Sequence, residues 1–132
     1  MNSMLEGLLA GLAAAVAGFF INNRLLERMG DKALIVYIPL AEETAKTAAA
    51  LLLGANILLT HMVFGVVEAL YDLYNSPPAH SCTASVLGLI SHTLLGLTAH
   101  FTLRVFGSRI LAVLVPAVLH SLWNRIMTGY TG

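Results

Sequence analysis

The chain has 132 residues, of which 58% are hydrophobic and only 11% are charged, and its formal net charge is zero. A soluble domain typically has about 25% charged residues, so a soluble fold of this composition would expose large apolar patches and aggregate. The neutral charge balance, with no basic stripe interleaved with aromatic residues, also argues against a nucleic-acid partner. The composition therefore predicts an integral membrane protein in contact with the lipid bilayer.

Five stretches are apolar and long enough to approach the span of a bilayer core, which takes about 20 helical residues. The predicted spans are residues 4–21, 33–53, 57–74, 83–105 and 110–126. No Lys or Arg precedes the first stretch and no clear cleavage site follows it, so we predict a retained span rather than a signal peptide. The predicted fold is an all-α, polytopic transmembrane helix bundle of about five spans, forming one integral membrane domain over residues 1–132.

Basic residues in the connections predict an orientation in the cell membrane. Four of them lie on the side of the first loop and two on the opposite side: Arg24, Arg28, Lys32 and Arg125 against Arg104 and Arg109. Cytoplasmic loops carry an excess of Lys and Arg. This distribution favours a cytoplasmic first loop in a multi-pass protein.

The second span contains charged residues within the sequence PLAEETAKTAAALLLG, residues 39–54. Placing Glu42, Glu43 and Lys46 in hydrocarbon costs roughly 8–10 kcal/mol before any pairing. Lys46 follows Glu42 by four residues and Glu43 by three, so it is predicted to pair with both carboxylates on one helix face. Pairing offsets part of this cost, but apolar residues would avoid it altogether, which favours a functional role over a structural ion-pair cluster.

Each later span also contains ionisable or amide side chains. These residues are His61 and Glu68 in the third span, His92 and His100 in the fourth, and His120 and Asn124 in the fifth. In a membrane, such side chains must face the bundle interior or a wet cavity. Because His61 is near a helix end, we predict that it is solvated or interfacial. His100 follows His92 by two turns and is a second candidate for the site.

Two chemistries fit a cluster of carboxylates, imidazoles and an amide. A carboxylate beside a histidine can activate water as a general base, while a second histidine and an asparagine donate hydrogen bonds to an oxyanion. Alternatively, the cluster can bind a divalent metal such as zinc, with ligands drawn from Glu42, Glu43, Glu68, His92 and His120. The zinc-protease signature H-E-x-x-H does not occur. A third possibility is a non-catalytic scaffold or transport component.

Four short motifs occur in order, one in each span from the second to the fifth. They are EETAK (Glu42 to Lys46), FGVVE (Phe64 to Glu68), the histidine of SHTLLG (His92) and HSLWN (His120 to Asn124). This order resembles the PrsW-type intramembrane proteases, within the superfamily of CAAX prenyl proteases and bacteriocin-processing (Abi/CPBP) proteins. The lysine that ends the first motif and the glutamate that ends the second are nearer to the PrsW pattern than to the CAAX branch.

The resemblance implies a glutamic intramembrane endopeptidase that needs no cofactor and cleaves a membrane-tethered protein. It implies that Glu42 or Glu43 is the general base, with Glu42 favoured by analogy with the CAAX enzymes. His92 would orient the base or share its proton, and His120 with Asn124 would stabilise the oxyanion. The remaining candidates are expected to line the site: Lys46, Phe64, Glu68 and, claimed by no motif, His100.

The resemblance covers about residues 39 to 124. Members of the superfamily usually have six to eight spans, so a chain of about five is expected to be either a minimal core or one subunit of a homo-oligomer. The superfamily also includes a scaffold subunit of γ-secretase, which keeps a scaffold function among the alternatives.

Overall fold

The computed structural model describes residues 3–131, with side chains up to residue 129. Every regular element in this range is helical: α1 (Ser3–Met29), a π-helical segment (Ala33–Tyr37), α2 (Ile38–Leu53), α3 (Ile57–Asn75), α4 (Pro78–Phe106) and α5 (Arg109–Thr131). Of these, α1, α3, α4 and α5 are long and apolar enough to cross a membrane. The predicted all-α bundle is therefore confirmed, and the chain is a multi-pass membrane protein.

Short connections follow from the residues at the helix ends. Gly54 follows the last residue of α2 and Gly107 that of α4, and both glycines have the left-handed φ (64° and 61°) that other residues rarely adopt. Asn56 caps α3, because its side chain accepts a hydrogen bond from the Leu59 amide at 3.0 Å. Short connections return the chain along the bundle: α3 and α4 are antiparallel, since Gly65 lies against His92 and Gly96 against His61, and the other successive helices alternate in the same way.

Three helices continue beyond the predicted spans. α1 continues to Met29 rather than ending near residue 21, α4 begins at Pro78 rather than at residue 83, and α5 extends over Arg109–Thr131 rather than 110–126. Hydropathy locates the apolar part of a helix, whereas the helix itself can continue into polar residues as long as its backbone hydrogen bonds are made. The longer α1 brings Asn22 into the bundle.

α2 is the most enclosed of the helices, in contact with α1, α3 and α5. α3 and α4 form the most extensive helix pair, α1 packs on α3, and α5 packs on α4. Because the helices alternate in direction, the C-terminal ends of α1, α3 and α5 lie on the same side as the N-terminal ends of α2 and α4. We call this the first-loop side.

The bundle is apolar outside and polar inside. Large apolar side chains such as Leu52, Val105 and Ile110 are exposed on its outer surface. The largest fully buried side chains include Lys46, His61, His92, Glu42 and Glu43. In a bilayer this distribution places apolar groups against lipid and ionisable groups inside the protein.

The α3–α4 pair is built on a repeated pattern, H-x-x-x-G, which occurs as His61 to Gly65 and as His92 to Gly96. Each histidine packs against the glycine of the other helix. A Cβ atom on Gly96 would lie 2.6 Å from His61 Cβ, and one on Gly65 would lie 2.9 Å from His92 Cβ. Glycine at both positions lets the two backbones approach closely, so both histidines are held in the α3–α4 interface.

Candidate active site

The two adjacent glutamates have different surroundings, because successive helical residues point about 100° apart. Glu42 Oε1 accepts a hydrogen bond from Asn22 Nδ2 at 2.6 Å. Glu42 Oε2 is buried without a hydrogen-bond partner and lies 3.9 Å from His120 Nδ1. Sequence reasoning missed Asn22 because it ended the first span one residue earlier.

Glu43 is surrounded by basic side chains. Its Oε1 accepts hydrogen bonds from Lys46 Nζ at 2.6 Å and from His120 Nδ1 at 2.9 Å. Its Oε2 lies 3.5 Å from His61 Nδ1. The prediction that Lys46 pairs with both glutamates is wrong: of the two, only Glu43 lies within 4 Å of the ammonium, because Glu42 points towards α1.

Lys46 is fully buried, yet its ammonium has several partners. In addition to Glu43, its Nζ donates a hydrogen bond to His92 Nδ1 at 3.0 Å and lies 4.4 Å from the centre of the Phe64 ring. A carboxylate, an imidazole and an aromatic face together replace the water that an ammonium would otherwise bind.

His92 connects Lys46 to Glu68. Since His92 Nδ1 accepts from the lysine, its other nitrogen, Nε2, carries the proton and donates it to Glu68 Oε2. The Glu68 side chain is 36% exposed, so this end of the hydrogen-bonded chain reaches the surface. The ring of His92 also meets that of His120 edge to face, with 5.2 Å between their centres.

Asn124 contacts the π-helical segment through its amide. Asn124 Nδ2 donates a hydrogen bond to the Leu34 carbonyl at 2.8 Å. In a π-helix a carbonyl accepts from the N–H five residues later, and the residue five after Leu34 is Pro39, which has no N–H. Asn124 therefore satisfies a carbonyl that Pro39 leaves open, a structural contact that the motif alone did not indicate.

A cavity of about 450 Å³ opens on the first-loop side of this cluster. The predicted site residues that line it are Glu42, Phe64, Glu68, His92, His120 and Asn124, together with Asn22. Phe19, Tyr71 and Trp123 contribute aromatic walls. Glu43 and Lys46 lie behind this lining, so of the two glutamates it is Glu42 that faces the cavity.

Two histidines differ from expectation. His61 is fully buried rather than solvated or interfacial, because Gly96 lets α4 pack over it. His100 is half-buried, lies edge-on to Phe101 and is not among the lining residues of the cavity. Eight residues separate it from His92, which is about 80° around the helix and 12 Å along it, so the structure does not bring it to the site.

Glu42, His92 and His120 each offer a ligand atom, and the three atoms lie within 4.8 Å of one another. Two histidines and one glutamate form a known catalytic zinc ligand set. Here the His92 nitrogens already bind Lys46 and Glu68, so a metal ion would have to displace one of them beside an ammonium. Of the five zinc ligands predicted from the sequence, these three are the ones that lie close enough together among the residues that the structure describes.

Comparison of the chain with protein-family models, with curated proteins and with solved structures finds no match. The resemblance to the PrsW-type proteases therefore stays a prediction from the four motifs.

Proposed function

We propose that the protein is an intramembrane glutamic endopeptidase that hydrolyses a peptide bond of a membrane-associated protein, with Glu42 as the general base. The difference between the two glutamates supports this assignment. Each glutamate has one oxygen without a hydrogen-bond partner, but only that of Glu42 belongs to a residue that lines the cavity, whereas Glu43 lies behind the lining and is bound to Lys46 and His120. A base needs a free lone pair next to the water that it activates.

The reaction would begin with a water molecule hydrogen-bonded to Glu42 Oε2, while Asn22 holds the other oxygen. Glu42 takes a proton as the water oxygen bonds to the scissile carbonyl carbon, which gives a tetrahedral oxyanion. The intermediate then expels the amine as the C–N bond breaks, and Glu42 returns the proton to the leaving nitrogen. This sequence needs no covalent enzyme intermediate.

The oxyanion would be stabilised by donors on α5. His120 Nδ1 is bound to Glu43, so Nε2 is the nitrogen left for the cavity, and the Glu43 carboxylate stabilises the doubly protonated ring that donates from it. An amide carries two N–H donors, so Asn124 keeps one beyond its bond to Leu34. His92 binds Lys46 and Glu68 through its two nitrogens, so its proposed role is to orient the site through Lys46 rather than by contact with Glu42.

The substrate would enter from the first-loop side, where the cavity opens. We propose that this side faces the cytoplasm, because the excess of basic residues lies there. The enzyme would lie in the cell membrane, either as a single chain or as a homo-oligomer. The aromatic side chains Phe19, Tyr71 and Trp123 on the cavity wall suit an apolar peptide segment. The scissile bond would therefore lie near the cytoplasmic end of the membrane-spanning segment of the substrate protein.

The experiment starts with purified protein reconstituted in liposomes with solubilised membrane proteins, and new N-termini are identified by mass spectrometry. The best-cleaved sequence is then synthesised as a quenched fluorescent peptide, called the reporter peptide below. We expect Glu42→Gln to lower kcat by about 10²–10⁴-fold, the usual contribution of a general base. The matched control is Glu27→Gln, an exposed glutamate of α1. Wild-type cleavage by Glu42→Gln would rule out this mechanism.

A zinc-dependent hydrolase is the second candidate, favoured by the close approach of Glu42, His92 and His120. Dialysis against a chelator separates the two. A glutamic protease keeps its activity and contains no stoichiometric zinc, whereas a zinc enzyme loses activity and regains it with added zinc. A well-folded protein that cleaves nothing under either condition would favour the scaffold or transport alternative.

A further inference from the structure

We propose that His61 is a positioning residue of this reaction: it holds the far oxygen of Glu43, and thereby fixes Glu43 and His120 in the orientation that serves the cavity. The inference rests on the proposed function. It assigns a role to a histidine that lies in none of the four motifs and does not line the cavity.

The burial of His61 requires an explanation. The side chain is 0% exposed, and neither ring nitrogen has a hydrogen-bond partner within the part of the chain that the structure describes. An imidazole without partners in a membrane interior is costly. A leucine would fill the same space without that cost, so a purely structural role does not explain why a histidine is there.

The nearest complementary group is Glu43 Oε2, which is itself buried without a hydrogen-bond partner. It lies 3.5 Å from His61 Nδ1, slightly beyond a good hydrogen bond, and a small side-chain rotation would close the gap. Two buried polar groups that each lack a partner and face each other form a natural donor–acceptor pair. The neutral ring would donate from Nδ1 to the carboxylate.

The packing of α3 on α4 holds His61 in that place. His61 Cβ would be only 2.6 Å from a Cβ on Gly96, so the absence of a side chain at Gly96 makes room for the histidine. α2 presents Glu43 from the other side. His61 is thus enclosed between a helix that cannot approach further and the carboxylate that it serves.

The consequence for His120 follows from the geometry of a carboxylate. The terminal torsion of a glutamate side chain has a broad, nearly two-fold profile, so Glu43 can exchange its oxygens unless both are held. Lys46 and His120 hold Oε1, and His61 holds Oε2. With both held, Glu43 stays bound to the Nδ1–H of His120 and supports the doubly protonated ring that presents Nε2–H to the cavity.

The test compares His61→Leu with His61→Asn, whose amide nitrogen can donate from the position of Nδ1. With the reporter peptide, we expect His61→Leu to lower kcat by about tenfold to a hundredfold, the range for loss of a supporting partner. KM should change less than twofold because His61 does not contact the cavity. His61→Asn should recover most of kcat. The control is His100→Leu, a histidine outside the site, with kcat unchanged.

Measurements of stability and of ring protonation separate positioning from packing. The melting temperature of His61→Leu should fall below that of the wild type, because leucine leaves Glu43 Oε2 without a donor, and His61→Asn should restore it. A packing role predicts the opposite order of the two variants. Nitrogen NMR of ¹⁵N-histidine protein should show both nitrogens of His120 protonated in the wild type and in His61→Asn, but a partly deprotonated ring in His61→Leu.

Each contrary result has a distinct meaning. An unchanged His120 signal in His61→Leu, wild-type kcat in that variant, or equal kcat in the Leu and Asn variants would overturn the role of His61. Full activity of Glu42→Gln in the same assay would instead overturn the proposed function.

Discussion

At the scale of single residues, the main feature is a buried lysine, Lys46, that forms an ion pair with only one of the two adjacent glutamates. Lys46 binds Glu43 and His92, while Glu42 is held by Asn22. The ammonium therefore compensates the charge of the enclosed glutamate and leaves the cavity-facing glutamate with a free oxygen. Adjacent residues of the same type can thus serve as structural anchor and proposed base.

The dependence of the fold on this ion pair is testable with Lys46→Met. Removing one partner of a buried pair leaves the other charge uncompensated, and we expect a loss of about 3–5 kcal/mol in the free energy of unfolding. The double variant Glu43→Gln/Lys46→Met should recover most of that loss. Denaturant unfolding in detergent micelles measures both.

Lys32→Met, which changes an exposed lysine in the first loop, is the matched control and should unfold like the wild type. Equal stability of Lys46→Met and the wild type would show that the buried ion pair contributes nothing.

At the scale of helices, the close α3–α4 contact decides where His61 and His92 lie. His61 and His92 each occupy the space opposite a glycine of the other helix. The π-helical segment makes a second such adjustment, since its open Leu34 carbonyl fixes Asn124 of α5. The close α3–α4 contact thus positions His61 and His92, and the π-helical segment positions Asn124.

The contact can be tested with Gly96→Ala. The new methyl group would lie 2.6 Å from His61 Cβ, so the helices must move apart, at a cost of about 1–3 kcal/mol for an overpacked interface. Cleavage of the reporter peptide should fall as well, because His61 and His92 both move.

Gly88→Ala, on the same helix, is the control for stability. Its nearest atom is Asp72 Oδ2 at 4.0 Å, so alanine fits and should stabilise the helix by about 0.5–1 kcal/mol. If the two variants have equal unfolding free energies, the close α3–α4 packing does not limit stability.

At the scale of the whole molecule, the cavity that reaches the buried polar cluster opens on the first-loop side of the bundle. All five helices contribute residues to its lining, each from the end on the first-loop side. Four of the six basic residues that were used to predict the orientation also lie on this side. In the proposed function, such an opening would admit water and an extended peptide without exposing the buried charges to lipid.

The orientation is testable by thiol labelling in intact cells. In a Cys82→Ser background, Asn75→Cys reports the first-loop side and Ser108→Cys the opposite side. We expect a membrane-impermeant maleimide to label Ser108→Cys in intact cells, and Asn75→Cys only after the membrane is opened. The reverse pattern would place the cavity on the outside and would move the proposed cleavage to that face.

The class of fold and most residues of the candidate site could be predicted from the sequence. Apolar stretches of bilayer length lead to an all-helical membrane bundle, since only helices or closed barrels satisfy every backbone group in lipid. The cost of ionisable groups in hydrocarbon marks Glu42, Glu43, Lys46, Glu68, His92 and His120 as inward-facing, and the structure brings these six together.

How those residues are arranged around the cavity could not be predicted from the sequence, because it depends on how the helices pack. Which glutamate faces the cavity depends on the rotation of α2 against α1 and α5, and no local pattern encodes that rotation. The burial of His61 and the exclusion of His100 depend on where glycines let two helices approach. Asn22 joined the site because α1 extends past its apolar part. Such contacts join residues far apart in the chain, so they follow from packing rather than from hydropathy or spacing.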